Sequence, residues 1–254
     1  MSKSVSDTCK CAHCQSKICY PHANMNDPLP PLTDAPKHCP MRRHPEIIRG
    51  ATGNYHKPNI REFARLAAIQ EAECYERTEI GLRTKIPRIE EIIQLARKCH
   101  FTRLGLAFCI GMRPEARQVS KIFENNGFQV SSVCCKVGRM PKESIGVTGD
   151  EKIHGPDRLE PMCNPVVQAE IMNTEAVDMV ILLGLCAGHD TLFFKYCERP
   201  CTVLAVKDRV TGHNPLAAIY LSESPYYGRL GKPAPQPETA SDEAWKKVDI
   251  MREE

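Results

Sequence analysis

A chain of 254 residues, 42 % of them hydrophobic and 26 % charged, is long enough for one large domain, or a medium domain with an appendage, around a real core. Its net charge of +3 gives no bulk electrostatic reason to expect nucleic acid or a membrane surface as partner. No run approaches the ~18 apolar residues of a membrane span, and the polar stretch Met1 to Lys10 lacks the apolar centre of a signal peptide, so a cytoplasmic protein is expected.

The 14 cysteines are what the rest of the sequence must explain. In a reducing cytosol, clustered cysteines point to metal or redox chemistry rather than to disulfides.

Residues 1–58 read as a cysteine-rich metal-binding module. They hold Cys9, Cys11, Cys14, Cys19 and Cys39, several histidines and a proline-rich stretch from Pro28 to Pro40, with no hydrophobic period. So little apolar content needs a staple, which a metal would supply. Cys11-Ala-His-Cys14 is a two-residue loop that lets two thiolates reach one metal, and Cys19 and Cys39 complete a set of four. Cys39 precedes Pro40, as the last ligand does in bacterial ferredoxin runs. Zinc and a cubane cluster are not separated by this spacing.

From Ile60 the pattern becomes helical. Residues 60–82 set Phe63, Ala67 and Cys74 on one stripe, and residues 87–100 repeat the helical period with Ile89, Ile92, Ile93, Ala96 and Cys99. Strands and helices then alternate: a strand over Leu104–Ile110, a helix from Pro114 to about Asn126, a strand over Phe128–Lys136, and a helix opened by Asn164-Pro165. Next come a very apolar strand over Val177–Leu185, a helix from His189 to Cys197, a strand over Cys201–Lys207 and a helix starting at Asn214-Pro215. Alternation of this kind predicts a three-layer, Rossmann-like α/β domain over residues 59–224, with a parallel sheet of four or more strands. Residues 225–254 read as a proline-rich, charged tail.

Position sorts the remaining cysteines. Cys74, Cys99 and Cys197 fall on apolar helix stripes and Cys201 starts a strand, so these read as core residues. Cys109, Cys134, Cys135 and Cys186 lie at strand ends, and Cys163 precedes a helix start. In a parallel sheet the carboxyl strand ends and the helix N-termini share one crevice, so these five are expected to converge there, with Cys109, Cys163, Cys186 and one of Cys134 or Cys135 as metal ligands. His189, Lys207, Asp208 and His213 border the same crevice and are the candidates for catalytic roles. There is no glycine-rich phosphate motif of either common type.

Cys11-Ala-His-Cys14, Cys134-Cys135-Lys136-Val137-Gly138, Cys163-Asn164-Pro165, Gly184-Leu185-Cys186-Ala187-Gly188-His189-Asp190, Val206-Lys207-Asp208-Arg209 and His213-Asn214-Pro215 together resemble a family of uncharacterised prokaryotic proteins described only as predicted cysteine-rich metal-binding proteins. The resemblance implies metal binding and brings no reaction with it. The expectation is therefore an iron–sulfur protein with one or two [4Fe-4S] clusters, one in the N-terminal module and one at the sheet edge. An open iron there would act on a small-molecule substrate or a sulfur ligand. Two alternatives stand beside it: an electron carrier with fully ligated clusters and a redox partner protein, and a zinc-stapled binding or regulatory protein.

Overall fold

The computed structural model describes residues 8–16, 18–20, 26–233 and 248–251. Most of the expected tail, including Pro235, Pro237 and Glu238, lies outside the described residues. The chain divides into two compact units, residues 1–99 and 100–254. The helices expected at 60–82 and 87–100 therefore belong to the first unit.

In the first unit, short helices α1 (Pro40–Arg43) and α2 (Pro45–Thr52) precede the longer α3 (Pro58–Glu73) and α4 (Arg88–Lys98). All four begin at or next to a proline, whose fixed φ and missing N–H suit the first turn. Residues 75–84 are not helix, as expected, but an antiparallel hairpin of β1 (Tyr75–Thr78) and β2 (Gly81–Thr84). The reason is local: Gly81 takes a φ of 125°, which only glycine adopts readily, and the Thr78 hydroxyl donates to the Gly81 carbonyl to close the turn. The stripe of Phe63, Ala67 and Cys74 is likewise not a buried seam, since Phe63 is exposed. Between α3 and α4 stands Gln70 instead, its amide donating to Gln94 at 2.9 Å and accepting from Lys98 at 2.6 Å, so this interface is fastened by a polar clasp. On α4 the expected face is found, with Ile92, Ile93 and Ala96 buried.

The second unit is an α/β domain with a parallel four-stranded sheet. Its strands are β3 (Arg103–Phe108), β4 (Gln129–Cys134), β5 (Met179–Leu183) and β6 (Cys201–Ala205), and its helices are α5 (Arg113–Asn125), α6 (Pro165–Thr174), α7 (His189–Tyr196) and α8 (Pro215–Tyr220). The spatial order is β4-β3-β5-β6. The chain thus moves from β3 outward to β4, returns across β3 to β5, and continues to β6, which places a topological switch point between β3 and β5.

Both faces of the sheet are covered. Gly105 in β3 faces Met172 of α6 so closely that a Cβ there would stand 2.6 Å from its sulfur. Ala107, Val180 and Leu182 pack with Ala169, Met172 and Phe193 into one core beneath α6 and α7. Phe108, of opposite parity on β3, shares a groove with Ala116 and Ser120 of α5. The five residues of β5 are all buried, which accounts for the most apolar run in the sequence.

Candidate functional site

The carboxyl ends of β3, β4 and β5 deliver three of the sulfurs. Cys109 follows β3, and Ile110–Met112 then turns the chain into α5. Cys135 follows β4; its N–H donates to the Phe108 carbonyl at 2.8 Å, which completes the last β3–β4 rung and holds its sulfur beside Cys109. Cys163 stands one residue before the Asn164 cap of α6. The Asn164 N–H donates to the Cys135 carbonyl at 2.8 Å, and its side chain accepts from Val167. Cys186 closes the run after β5. Gly184 just before it has a φ of 66°, and a Cβ there would come within 1.9 Å of the Met112 sulfur, so only glycine lets β5 turn this tightly under the β3 loop.

Three sulfurs meet. Cys109 and Cys135 are hydrogen-bonded, and the Cys163 and Cys135 sulfurs are 3.7 Å apart. The Ile110 N–H also donates to the Cys135 sulfur at 3.3 Å. Cys135 is only 2 % exposed and lies beneath a cavity of about 430 Å³, whose lining includes Cys109, Cys163 and Cys186. Cys134, by contrast, pairs in register with Phe108 on the strand itself, and the sulfur contacts to Cys109 and Cys163 are made by Cys135. Of the two adjacent cysteines the structure thus brings Cys135 to the site.

Cations surround these sulfurs. Lys136 Nζ is 3.4 Å from the Cys163 sulfur and donates to the Pro161 carbonyl. Lys207 reaches over Gly111, whose missing side chain leaves room for its Nζ, and acts electrostatically on Cys109. Arg209 donates to the Cys186 sulfur at 3.1 Å. The consequences for acidity follow. The hydrogen bond with Cys135, then that with His189 and the charge of Lys136, hold the Cys163 thiol down to about 3. Cys109 is held down to about 5, first by Cys135 and then by the Gly111 N–H and Lys207. Cys135 is pushed up by its hydrogen bonds with both. His189 is raised by its bond to Cys163 and shifts toward imidazolium. The surrounding cations thus favour the thiolate forms of Cys109 and Cys163.

Not every expected residue reaches it. Asp208 turns back on its own loop, accepting from the N–H groups of Val210 and Thr211 at 3.0 Å each, and its N–H donates to His213 Nδ1 at 3.1 Å. Neither Asp208 nor His213 lines the cavity; together they shape the loop that presents Lys207 and Arg209.

Residues that the sequence reading passed over also line the cavity. Lys136 is one. The others lie on the segment between β4 and α6: Ile153, His154, Leu159, Glu160 and Pro161. That segment closes on itself through an antiparallel bridge between Pro141 and Pro161 and an ion pair of Lys142 with Glu160 at 2.6 Å. Lys152 is buried within it and donates to the carbonyls of Pro156 and Arg158 and to Glu143. No hydrophobic period marks such a loop; its order comes from polar closure, which sequence spacing does not display.

In the first unit, Cys11 opens a short turn over Cys11–His13, and the Lys10 N–H donates to the His38 carbonyl at 3.4 Å, bringing the Cys11–Cys14 loop beside Cys39. Desolvation, then the nearby Cys39, Cys19, Cys14 and Cys9, raise the Cys11 thiol above its ordinary value. His38 Nε2 is buried there without a hydrogen-bond partner.

The donor chemistry fits a thiophilic metal in both places. For ~2.3 Å metal–sulfur bonds, two ligands on one tetrahedral ion lie ~3.8 Å apart, close to the 3.7 Å between Cys135 and Cys163. Among the described residues, however, no three Cys, His, Asp or Glu side chains already enclose an ion-sized space, because the sulfurs form a chain rather than a cage.

Fold and site together define the class: an α/β protein with a thiol-rich, cation-lined cavity at the carboxyl edge of its parallel sheet. The chain belongs to the protein family of unknown function DUF1847, whose model matches residues 39–204. It is 37 % identical over 211 residues to the uncharacterised protein MJ0455 of Methanocaldococcus jannaschii, across 83 % of this chain and 93 % of that one. No solved structure matches it.

Proposed function

We propose that this is a metalloprotein with a Rossmann-like domain, whose sheet-edge cavity binds an iron–sulfur cluster through Cys109, Cys135 and Cys163, with Cys186 at its mouth. The observation that carries the proposal is the meeting of Cys109, Cys135 and Cys163 at the switch-point edge of the sheet, against a cavity of about 430 Å³ that Cys109 and Cys163 line together with Lys136, Lys207 and Arg209. Thiolates gathered this closely repel one another unless a metal fixes them, and the cations offset the negative charge that a thiolate-bound cluster carries. A space of that volume exceeds what one ion occupies. When bound, such a cluster supplies electron transfer or, at an iron without a protein ligand, Lewis acidity. The chain's own groups then have defined tasks: Lys136, Lys207 and Arg209 hold anionic charge, and His189 keeps a proton on its ring beside Cys163. A second cluster or a zinc ion in the N-terminal module is part of the same proposal, with Cys11, Cys14, Cys19 and Cys39 as ligands.

One observation favours a second reading of the sheet-edge site, a single zinc ion: the Cys135–Cys163 separation already equals a one-ion ligand edge. Anaerobic purification with iron, acid-labile sulfide and zinc measured per chain tests both, alongside Cys109→Ser and Cys163→Ser. We expect iron and sulfide in the wild type and loss of the same share of both in each variant. Zinc lost in their place establishes the second reading, and a folded wild type with neither overturns the proposal.

A further inference from the structure

A second pair of cysteines meets at the opposite edge of the sheet. Cys197 ends α7 and Cys201 begins β6, and their sulfurs are 3.4 Å apart. Sequence position alone assigns both to the core; the structure adds that each is the other's neighbour. Only Glu198, Arg199 and Pro200 separate them, and that connection is clamped. The Asn173 side chain accepts from the Glu198 N–H at 2.9 Å and donates to the Tyr196 carbonyl at 2.9 Å. Arg199 donates to the Asn173 carbonyl at 3.1 Å. On either side, the Cys197 N–H bonds the Phe193 carbonyl and the Pro200 carbonyl accepts from Val180. The Arg199 carbonyl stands 3.0 Å from the Cys201 sulfur and 3.7 Å from the Cys197 sulfur, so it holds both thiols on one side of the turn. Both residues are half-buried and so open in part to solvent.

We infer that Cys197 and Cys201 are a reversible redox couple, a dithiol that closes to an intramolecular disulfide by exchange with a low-molecular-weight disulfide. A disulfide needs its sulfurs ~2.05 Å apart, so a side-chain adjustment of roughly 1.4 Å closes this pair. The Asn173 clamp has already fixed the backbone. Because the closed loop holds only three intervening residues, the bond gains little from chain entropy and stays within reach of cellular dithiols.

The chemistry balances as follows. The Cys197 thiolate attacks one sulfur of the small disulfide RSSR, forms a mixed disulfide and expels RS⁻, which takes up the proton that Cys197 released. The Cys201 thiolate then attacks the Cys197 sulfur, breaks the mixed bond and expels the second RS⁻, which takes the Cys201 proton. Two protein thiols are oxidised by two electrons, and RSSR is reduced to two RSH. The order of attack has support in acidity: Cys201 donates to Cys197 and holds its thiol down to about 7, while Cys201 itself is raised by that same bond. Once Cys197 is in the mixed disulfide, the thiolate that suppressed Cys201 ionisation is gone. A merely packed pair of core cysteines has the same contact but does not exchange.

The test uses the full chain in glutathione buffers, followed by alkylation of free thiols and mass spectrometry of the tryptic peptide spanning residues 196–207. In oxidising buffer we expect that peptide to appear unalkylated and lighter by two hydrogens, and to return to the doubly alkylated form with dithiothreitol. In Cys201→Ser, glutathione should accumulate on Cys197 at least tenfold over its level in the wild type. Should both cysteines stay freely alkylated under conditions that glutathionylate the exposed Cys9, the couple does not exist. That wild-type measurement stands even if the variant does not fold.

Discussion

Cys134 and Cys135 are adjacent, yet the strand makes them chemically unequal. Cys134 is the last rung of β4, in register with Phe108, whereas Cys135 has left the strand and meets Cys109 and Cys163. Sequence spacing gives both the same standing, because the exact end of a strand is the least legible part of it. The pair therefore makes an internal control. Cys135→Ser should abolish metal binding at the sheet edge, and Cys134→Ser should leave metal content unchanged at a stability cost on the order of 1 kcal/mol for a half-buried thiol. Equal loss from the two variants in metal analysis, with circular dichroism confirming that both fold, would mean that the strand end is not where ligand and bystander divide. The same residue-scale contrast applies to the cations. Lys207 reaches the cavity while its neighbour Asp208 is turned into its own loop, and nothing in a charged triplet tells the two apart before the loop's hydrogen bonds are known.

At the scale of elements, what could be read from the sequence was what hydrophobic period writes. The strands β3, β4, β5 and β6 and the helices between them appear within a few residues of their expected ends, since a buried parallel strand needs an unbroken apolar run and a covering helix needs its 3.6-residue stripe. The β1–β2 hairpin was not legible, because its four-residue strands are almost wholly exposed and bury no stripe to announce them. The cavity-lining segment between β4 and α6 was missed for a related reason: it is ordered by Lys142, Lys152 and Glu160. Glu160 is 7 % exposed; it pairs with Lys142 and accepts from the Ile153 and His154 N–H groups. The Lys142 bond, then the two backbone donors, hold its carboxyl down to about 2. A carboxyl depressed below its ordinary ~4.3 stabilises the fold fully above that value, and this contribution is lost as pH falls through the folded-state value. Residues 141–161 should therefore open between pH ~4 and ~2. Glu160→Gln should already lack this acid-dependent step. Hydrogen exchange at Ile153 and His154 reads the opening, and unchanged protection down to pH ~2 would show that the loop is held by something other than this carboxylate.

At the scale of the whole molecule, the chain has two compact units, and cysteines occur in each. In the second unit the sheet does the gathering. The order β4-β3-β5-β6 turns strand ends far apart in sequence into neighbours, above a buried apolar core beneath α6 and α7. In the first unit Cys9, Cys11, Cys14 and Cys19 precede the first α-helix, and of the residues described before Cys39 only Ala35 is a buried hydrophobic. Burial that slight does not offset the ordering of backbone at ~1–2 kcal/mol per residue; on the proposed reading, metal–thiolate bonds supply what burial does not. The two units should thus respond differently when metal is removed. A strong chelator under reducing conditions should make residues 1–58 the first site of limited proteolysis, while a fragment from about residue 100 onward survives with its far-ultraviolet circular dichroism intact. Cys14→Ser or Cys39→Ser should reproduce that cleavage without chelator and leave the sheet-edge metal signal in place, as each site depends only on its own cysteines. A chelated chain that resists cleavage throughout residues 1–58 would refute the metal staple. Cleavage that begins instead within residues 100–224 would show that the sheet, too, relies on metal to hold its core.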